Sequence, residues 1–179
     1  MRVIGGSARG RRLKGPTRTG TRPTSDLVRG VIFDLLVAHD AEMGAVLDLY
    51  SGTGALGIEA LSRGAERCDF VEADARACEV IRDNLARTGM LDRAKVYPLP
   101  VAKALGRLKG PYDLVVADPP YEYDRAETEL RDVVERGLLA PGGTLVVEHS
   151  KRRDWPRELG GRPQLLSRRH GDTRITIYR

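Results

Sequence analysis

Residues 47–60 read LDLYSGTGALGIEA, with Gly52, Gly54 and Gly57 in the spacing G-x-G-x-x-G. This spacing marks a backbone turn that cradles a nucleotide between a strand and a helix. A dinucleotide loop opens almost at the strand end, because its amides and helix dipole must meet a pyrophosphate. Here a carboxylate, Asp48, sits at the strand end with three residues between it and Gly52. A negative charge aimed into the pocket repels a diphosphate and suits a ligand carrying an ammonium and a sulfonium. Gly52 and Gly54 let the backbone approach such a ligand, and Gly57 reads as helix–sheet packing. Glu72, 20 residues after Gly52, ends the next strand and can accept both hydroxyls of a ribose. Asp74 beside it reads as the cap of the following helix.

Outward from this loop the pattern alternates. AVLDLY is a strand, ALGIEALSRG a helix, RCDFVEA a strand, and a helix follows over 74–88, ending at Gly89. A short strand near AKVYP, a short helix near 101–108 and the strand YDLVVAD come next. A helix over about 125–138, a Pro-Gly-Gly turn at 141–143 and the strand TLVVEHS complete the alternation. Strict alternation predicts a parallel sheet covered on both faces. PQLLSRR and TRITIYR, joined across HGDT, stand too close together to pair other than antiparallel. Upstream, residues 1–24 are rich in Gly, Arg and Thr and read as an extended or short-strand arm. Thr24 or Ser25 caps a helix whose apolar face includes Leu27, Val28, Val31, Ile32, Leu35 and Leu36. Gly30 inside that helix predicts a close contact.

With 179 residues, 41% hydrophobic and 31% charged, the chain reads as one compact domain. No apolar run approaches a membrane span and the start carries no apolar secretory segment, so a cytoplasmic protein is expected. Cys68 and Cys78 lack metal-ligand spacing and read as reduced thiols; no metal is expected. Residues 1–30 carry a net +7 and residues 151–179 a net +6, leaving −8 on 31–150 within a total of +5. Basic ends on an acidic body fit a polyanion partner if both ends reach one face.

The segment VVADPPYEY decides the chemistry. Asp118, Pro119, Pro120 and Tyr121 follow an apolar strand directly, which places them beside the glycine loop. An exocyclic nucleobase amine is a poor nucleophile because its lone pair is delocalised. The Asp118 carboxylate and Pro119 carbonyl can each accept an N–H, orienting the amine and favouring positive charge on nitrogen. Tyr121 can stack on an extruded base. His39, His149 and His170 read as structural or surface residues, and Trp155 and Tyr123 as either RNA-stacking or rim aromatics.

Over nearly its whole length the sequence resembles the bacterial 16S ribosomal RNA guanine-N2 methyltransferases of the RsmD type. The matching stretches are GTRPTSDLVRGVIF (20–33), VLDLYSGTGALGIEALSRGA (46–65), FVEAD (70–74), DPPY (118–121) and GDTR (171–174). The resemblance implies a Rossmann-like class I S-adenosylmethionine-dependent methyltransferase fold: α/β, with a seven-stranded, mainly parallel sheet and a C-terminal antiparallel hairpin. It implies S-adenosyl-L-methionine as donor and one guanine of 16S rRNA in the small ribosomal subunit as acceptor. Carried over residue by residue, Asp48, Gly52, Gly54, Glu72 and Asp118 hold the cofactor, with Tyr50, Ala73, Val101 and Ala102 completing that pocket. Many relatives carry an acid followed by alanine where this chain has Val101-Ala102, so adenine meets backbone groups and apolar surface there. Asp118, Pro119, Pro120 and Tyr121 form the base site. Arg9, Arg11, Arg12, Lys14, Arg22, Pro23 and Thr24 are the expected RNA contacts on an arm, 1–24, preceding a methyltransferase domain, 25–179, in a monomer. Rival readings are an adenine-N6 or other amine methyltransferase on DNA or another RNA, a non-catalytic RNA-binding relative, and a nicotinamide oxidoreductase, for which DPPY has no use.

Overall fold

The computed structural model describes residues 1–15 and 25–179. Runs rich in apolar residues form the parallel part of the sheet. They are β1 (Ala45–Leu49), β2 (Arg67–Glu72), β3 (Ala94–Pro98), β4 (Tyr112–Ala117) and β5 (Leu139–Ser150). These five run parallel, and the antiparallel β6 (Glu158–Leu159), β7 (Arg162–His170) and β8 (Thr173–Tyr178) extend the sheet in the order β3-β2-β1-β4-β5-β8-β7-β6. The helices are α1 (Asp26–Ala38), α2 (Ala55–Ser62), α3 (Ala75–Thr88), α4 (Val101–Ala104) and α5 (Ala126–Glu135). Strand order reverses between β1 and β4, and the crevice outside their carboxyl ends is where open α/β sheets hold ligands.

The expected parallel sheet and terminal hairpin are present, with one correction: the sheet has eight strands, not seven. The extra strand is two residues long and turns into β7 through Gly160 and Gly161, whose φ angles are 58° and 83°. A Gly-Gly pair between extended residues is a hairpin signal, but the two residues before it are too few for a strand pattern. Pro141 to Gly143 do not precede β5 but lie within it. The register jumps from Tyr112↔Leu139 to Leu114↔Thr144, so the turn residues bulge out of one strand.

Caps follow the sequence closely. Ser25 Oγ accepts from Val28 N at 3.1 Å, Asp74 accepts from Arg76 N at 2.8 Å, and Gly89 closes α3 with φ 72°. Gly30 departs from expectation, since a Cβ there meets nothing within 4 Å among the described residues.

Alternation along β1 divides the core. Val46 joins the cluster under α1, α2 and α3, whereas Leu47 and Leu49 join the one under α4 and α5. The first fifteen residues belong to the former cluster: Val3, Ala8 and Leu13 are buried in it. Val3 N donates to Arg11 O at 3.0 Å and Leu13 N to Met1 O at 3.2 Å, forming a small hairpin that docks on α2. The docking point is Glu59, fully buried, which accepts from Ile4 N and Gly5 N at 2.8 Å each. Arg63 Nε lies 2.8 Å from Glu59, and Nε of the equally buried Arg29 lies 3.6 Å away. Arg29 also reaches Asp26 at 2.9 Å and the Arg2 carbonyl. Among the described residues no helix is long and apolar enough to cross a membrane.

Candidate active site

The glycine loop leaves β1 through three left-handed residues, Tyr50 (φ 57°), Gly52 (55°) and Gly54 (76°). Only glycine adopts such angles without strain, and Tyr50 holds its own because its side chain is tied down. Gly52 N donates to Glu72 Oε2 at 2.8 Å, and Asp74 N donates to Glu72 Oε1 at 2.8 Å. One half-buried carboxylate thus joins the ends of β1 and β2 and retains lone pairs for hydroxyl donors. A Cβ on Gly52 would find no atom nearer than Tyr50 O at 4.0 Å, so the backbone at this α-carbon borders open space. A Cβ on Gly57 would meet Phe70 Cε1 at 2.4 Å, which makes that glycine a packing residue as its spacing implied.

Asp48 does not sit as the sequence suggested. Strand alternation turns it toward α2, where Oδ2 accepts from Gly57 N at 2.9 Å with the residue 1% exposed. It braces the loop from beneath and does not face the open cleft. Burial pushes its carboxyl up to about 7; the Gly57 N–H opposes the shift and the Glu72 charge adds to it. The buried His149 is displaced the other way, to about 4, again mainly by burial.

These two groups act oppositely on stability. Asp48 holds a proton in the folded state that it has lost when unfolded between pH about 4 and 7, so its contribution falls as pH rises through that window. His149 is neutral when folded and charged when unfolded between about 4 and 6.5, so its contribution falls as pH drops. The two slopes offset one another. Asp48→Asn is expected to unmask the histidine: urea midpoints of the variant fall from pH 6.5 toward 4 more steeply than those of the wild type. Parallel profiles for the two proteins would refute this assignment.

Val101, buried at the start of α4, and the exposed Ala102 lie beyond β3 at the same sheet edge, and the exposed Ala73 follows Glu72 there. The DPPY segment leaves β4 beside the glycine loop. Leu49 pairs with Ala117, and Asp118 N approaches Leu49 O at 3.4 Å. Asp118 is half-buried, Pro119 buried, Pro120 exposed, and Tyr121 39% exposed. Tyr121 OH donates to Thr173 Oγ1 at 3.2 Å, so the DPPY and GDTR stretches meet. Thr173 is itself held by Glu148 Oε1 and His149 O, each at 3.1 Å.

Three residues that sequence reasoning missed hold this arrangement. Glu129 on α5, 3% exposed, accepts from Tyr50 OH at 2.7 Å and from Tyr123 OH at 2.8 Å. A single carboxylate therefore takes one phenol from the glycine-loop side and one from the DPPY side. Its signal was legible, since a carboxylate shares the apolar helix face of Ala126, Leu130 and Val133. Arg153 donates to Tyr123 O at 2.7 Å and Asp124 O at 3.2 Å, fastening the same loop. Thr173 is the third, visible only as part of the GDTR stretch.

The expected RNA contacts divide. Arg9 and Arg12 are exposed, Arg11 Nη1 donates to Arg87 O at 2.8 Å, and Lys14 pairs with Asp83 on α3. Lys14 N also bonds Asn84 Oδ1 at 2.7 Å, and Asn84 Nδ2 donates to Thr53 O at 3.0 Å, so this end of the chain reaches the glycine loop. Arg22, Pro23 and Thr24 lie outside the described residues.

A parallel α/β sheet ending in an antiparallel hairpin, with a glycine loop and a DPPY segment side by side at its carboxyl edge, defines the α/β fold of the S-adenosylmethionine-dependent methyltransferases. A solved structure described as "Putative methyltransferase yhhF" from Escherichia coli superposes with a TM-score of 0.86 at 31% identity, covering 99% of this chain and 96% of that one. The chain belongs to the family described as conserved hypothetical protein 95, whose model matches residues 1–179. It is 35% identical over 182 residues to "Putative rRNA methyltransferase YlbH" of Bacillus subtilis, covering 100% of this chain and 98% of that protein. It is 36% identical over 150 residues to ribosomal RNA small subunit methyltransferase D of Escherichia coli K12, covering 83% of this chain and 74% of that protein.

Proposed function

We propose that this protein methylates the exocyclic N2 amine of a guanine in 16S rRNA of the small ribosomal subunit, with S-adenosyl-L-methionine as donor. The observation that carries the reading is the register of Leu49 against Ala117, which sets Asp118 beside the glycine loop at the strand switch. When bound, the donor supplies an electrophilic methyl group on a sulfonium. The residues present fit it. Gly52 offers a backbone with open space beside its α-carbon, Glu72 a half-buried carboxylate with capacity for the ribose hydroxyls, and Asp48 braces the glycine loop through the Gly57 amide. Tyr50, Gly54 and Ala73 line the same loops, and Val101 and Ala102 offer apolar and backbone surface to adenine.

On the acceptor side, Asp118 and the Pro119 carbonyl take the two amine hydrogens. This fixes the nitrogen lone pair toward the methyl and offsets the charge that develops on nitrogen. Tyr121 offers its ring to the everted base, with its hydroxyl held by Thr173. The aminium so formed is strongly acidic and loses its proton without a dedicated base. Pro120 stiffens the segment. Residues 1–24, with Arg9, Arg11, Arg12, Lys14 and the Arg22-Pro23-Thr24 stretch, act as an RNA-contacting arm on a methyltransferase domain, 25–179, that works as a monomer in the cytoplasm.

Labelled methyl transfer to small subunits, naked 16S rRNA and duplex DNA, followed by nucleoside analysis, tests this. N2-methylguanosine in the small-subunit RNA is the expected product. Label in adenine of DNA, or calorimetric heat with NAD and none with the methyl donor, would overturn the reading.

A further inference from the structure

The carboxyl edge of the sheet continues past the DPPY segment. β5 runs parallel to β1 and β4, so its last residue, Ser150, emerges on the same edge as Leu49 and Ala117. The antiparallel β7 and β8 bring the chain back to that edge, with Ser150↔Thr173 and His170↔Thr173 in register. Two open clefts flank the 151–157 turn that leaves from there. One, of about 490 Å³, is lined by Tyr121, Ser150, Lys151, Arg152 and Arg153 among others. The second, of about 650 Å³, is lined by Trp155, Arg157, Gln164, Ser167 and Arg174 among others.

Most cations here are committed to the fold. Lys151 Nζ holds Asp172 at 2.5 Å, Arg153 holds two carbonyls and covers the Trp155 ring at 5.6 Å, and Arg174 Nη1 reaches Ser167 Oγ at 3.3 Å. Arg152 and Arg157 are different. Each is exposed, one stands in each cleft, and neither side chain makes a hydrogen bond or ion pair among the described residues. Long guanidinium side chains left uncommitted at the border of a base-binding segment are suited to phosphate oxygens. Ser150, Gln164 and Ser167 add groups that can bond to sugar and base edges. A protein partner would instead call for a centre poor in charge, and charged side chains line both clefts: Lys151, Arg152, Glu122 and Asp172 in the first, Arg157, Arg174 and Asp154 in the second.

We propose that this rim is a second track for the RNA backbone. The strand whose target base enters at Tyr121 continues over the 151–157 turn, with phosphates meeting Arg152 in the first cleft and Arg157 in the second. The inference rests on the rRNA methyltransferase reading and adds to it a contact surface on the β5–β8 side of the sheet.

The test is the salt dependence of 16S rRNA binding by the full-length protein. Arg152→Ala with Arg157→Ala is compared with Arg107→Ala and Lys109→Ala, an exposed pair with the same charge change before β4, at the other edge of the sheet. The rim variant is expected to lose about two units of slope in log K against log salt, roughly one per phosphate, and the control pair none. An unchanged slope in the rim variant overturns the track, as does an equal loss in the control pair, which would mean bulk charge alone. Weaker binding to assembled subunits with an unchanged slope on naked RNA would assign the rim to a ribosomal protein and equally overturn it. Methyl transfer by the wild type is measured alongside. Its absence from rRNA defeats the enzymatic reading, whereas its presence with an unchanged slope defeats only the track.

Discussion

Asp118→Ala is expected to lower turnover in methyl transfer to rRNA by about 10²–10³-fold, the usual cost of removing one group that stabilises developing charge. Most of the RNA affinity survives, because phosphate contacts elsewhere supply it. The aspartate is half-buried at a strand end, and the β1–β4 pairing beside it is made by backbone groups. Asp118→Asn separates the possible causes. Its amide oxygen still accepts one amine hydrogen, so this variant should fall between the wild type and alanine. Single-turnover rates at saturating RNA measure both. An alanine variant within a few-fold of wild type would remove Asp118 from the chemistry.

The largest effect on stability is expected at Glu59. Its carboxylate is fully buried, takes the N–H groups of Ile4 and Gly5, and lies against Arg63 and the buried Arg29. Glu59→Ala leaves two backbone donors and the Arg63 Nε–H without their acceptor, and takes a counter-charge from the enclosed Arg29, which keeps Asp26 and the Arg2 carbonyl. Breaking a buried ion pair from one side costs about 3–5 kcal/mol. In a domain of this size that lowers the melting temperature by about 10 °C. Glu59→Gln keeps one acceptor oxygen and should recover part of the loss. Urea unfolding of the three proteins checks the order. A loss in the alanine variant below about 1 kcal/mol would show that the amino-terminal hairpin does not depend on this residue.

Much of this architecture is legible in the sequence. The helix starts follow from Ser25 and Asp74, the end of α3 from Gly89, and the place of the DPPY segment from the parallel-sheet rule. Gly57 is legible as a packing residue because a helix that returns tightly to its sheet has no room for a Cβ. What escaped was tertiary in origin. The Arg29–Glu59 contact joins residues thirty positions apart, and nothing local distinguishes a buried arginine on α1 from a solvated one. Glu59 and Glu129 did leave a trace, each a carboxylate on an otherwise apolar helix face, but the trace does not name the partner. Asp48 stands out in the sequence but its direction does not: period-two alternation in β1 turns it toward α2 and the Gly57 amide. β6 leaves no trace because two residues form no pattern.

The contact at Glu129 bears on how such a protein can be altered. Each of its oxygens answers to a phenol from a different wall of the crevice, in surroundings nearly closed to water. Replacing either tyrosine by phenylalanine strands half of that acid, and removing the acid strands both hydroxyls. A redesign that accepts a bulkier methyl-donor analogue by reshaping the wall at Tyr50 will therefore disturb the opposite wall at Tyr123 unless all three positions are changed together.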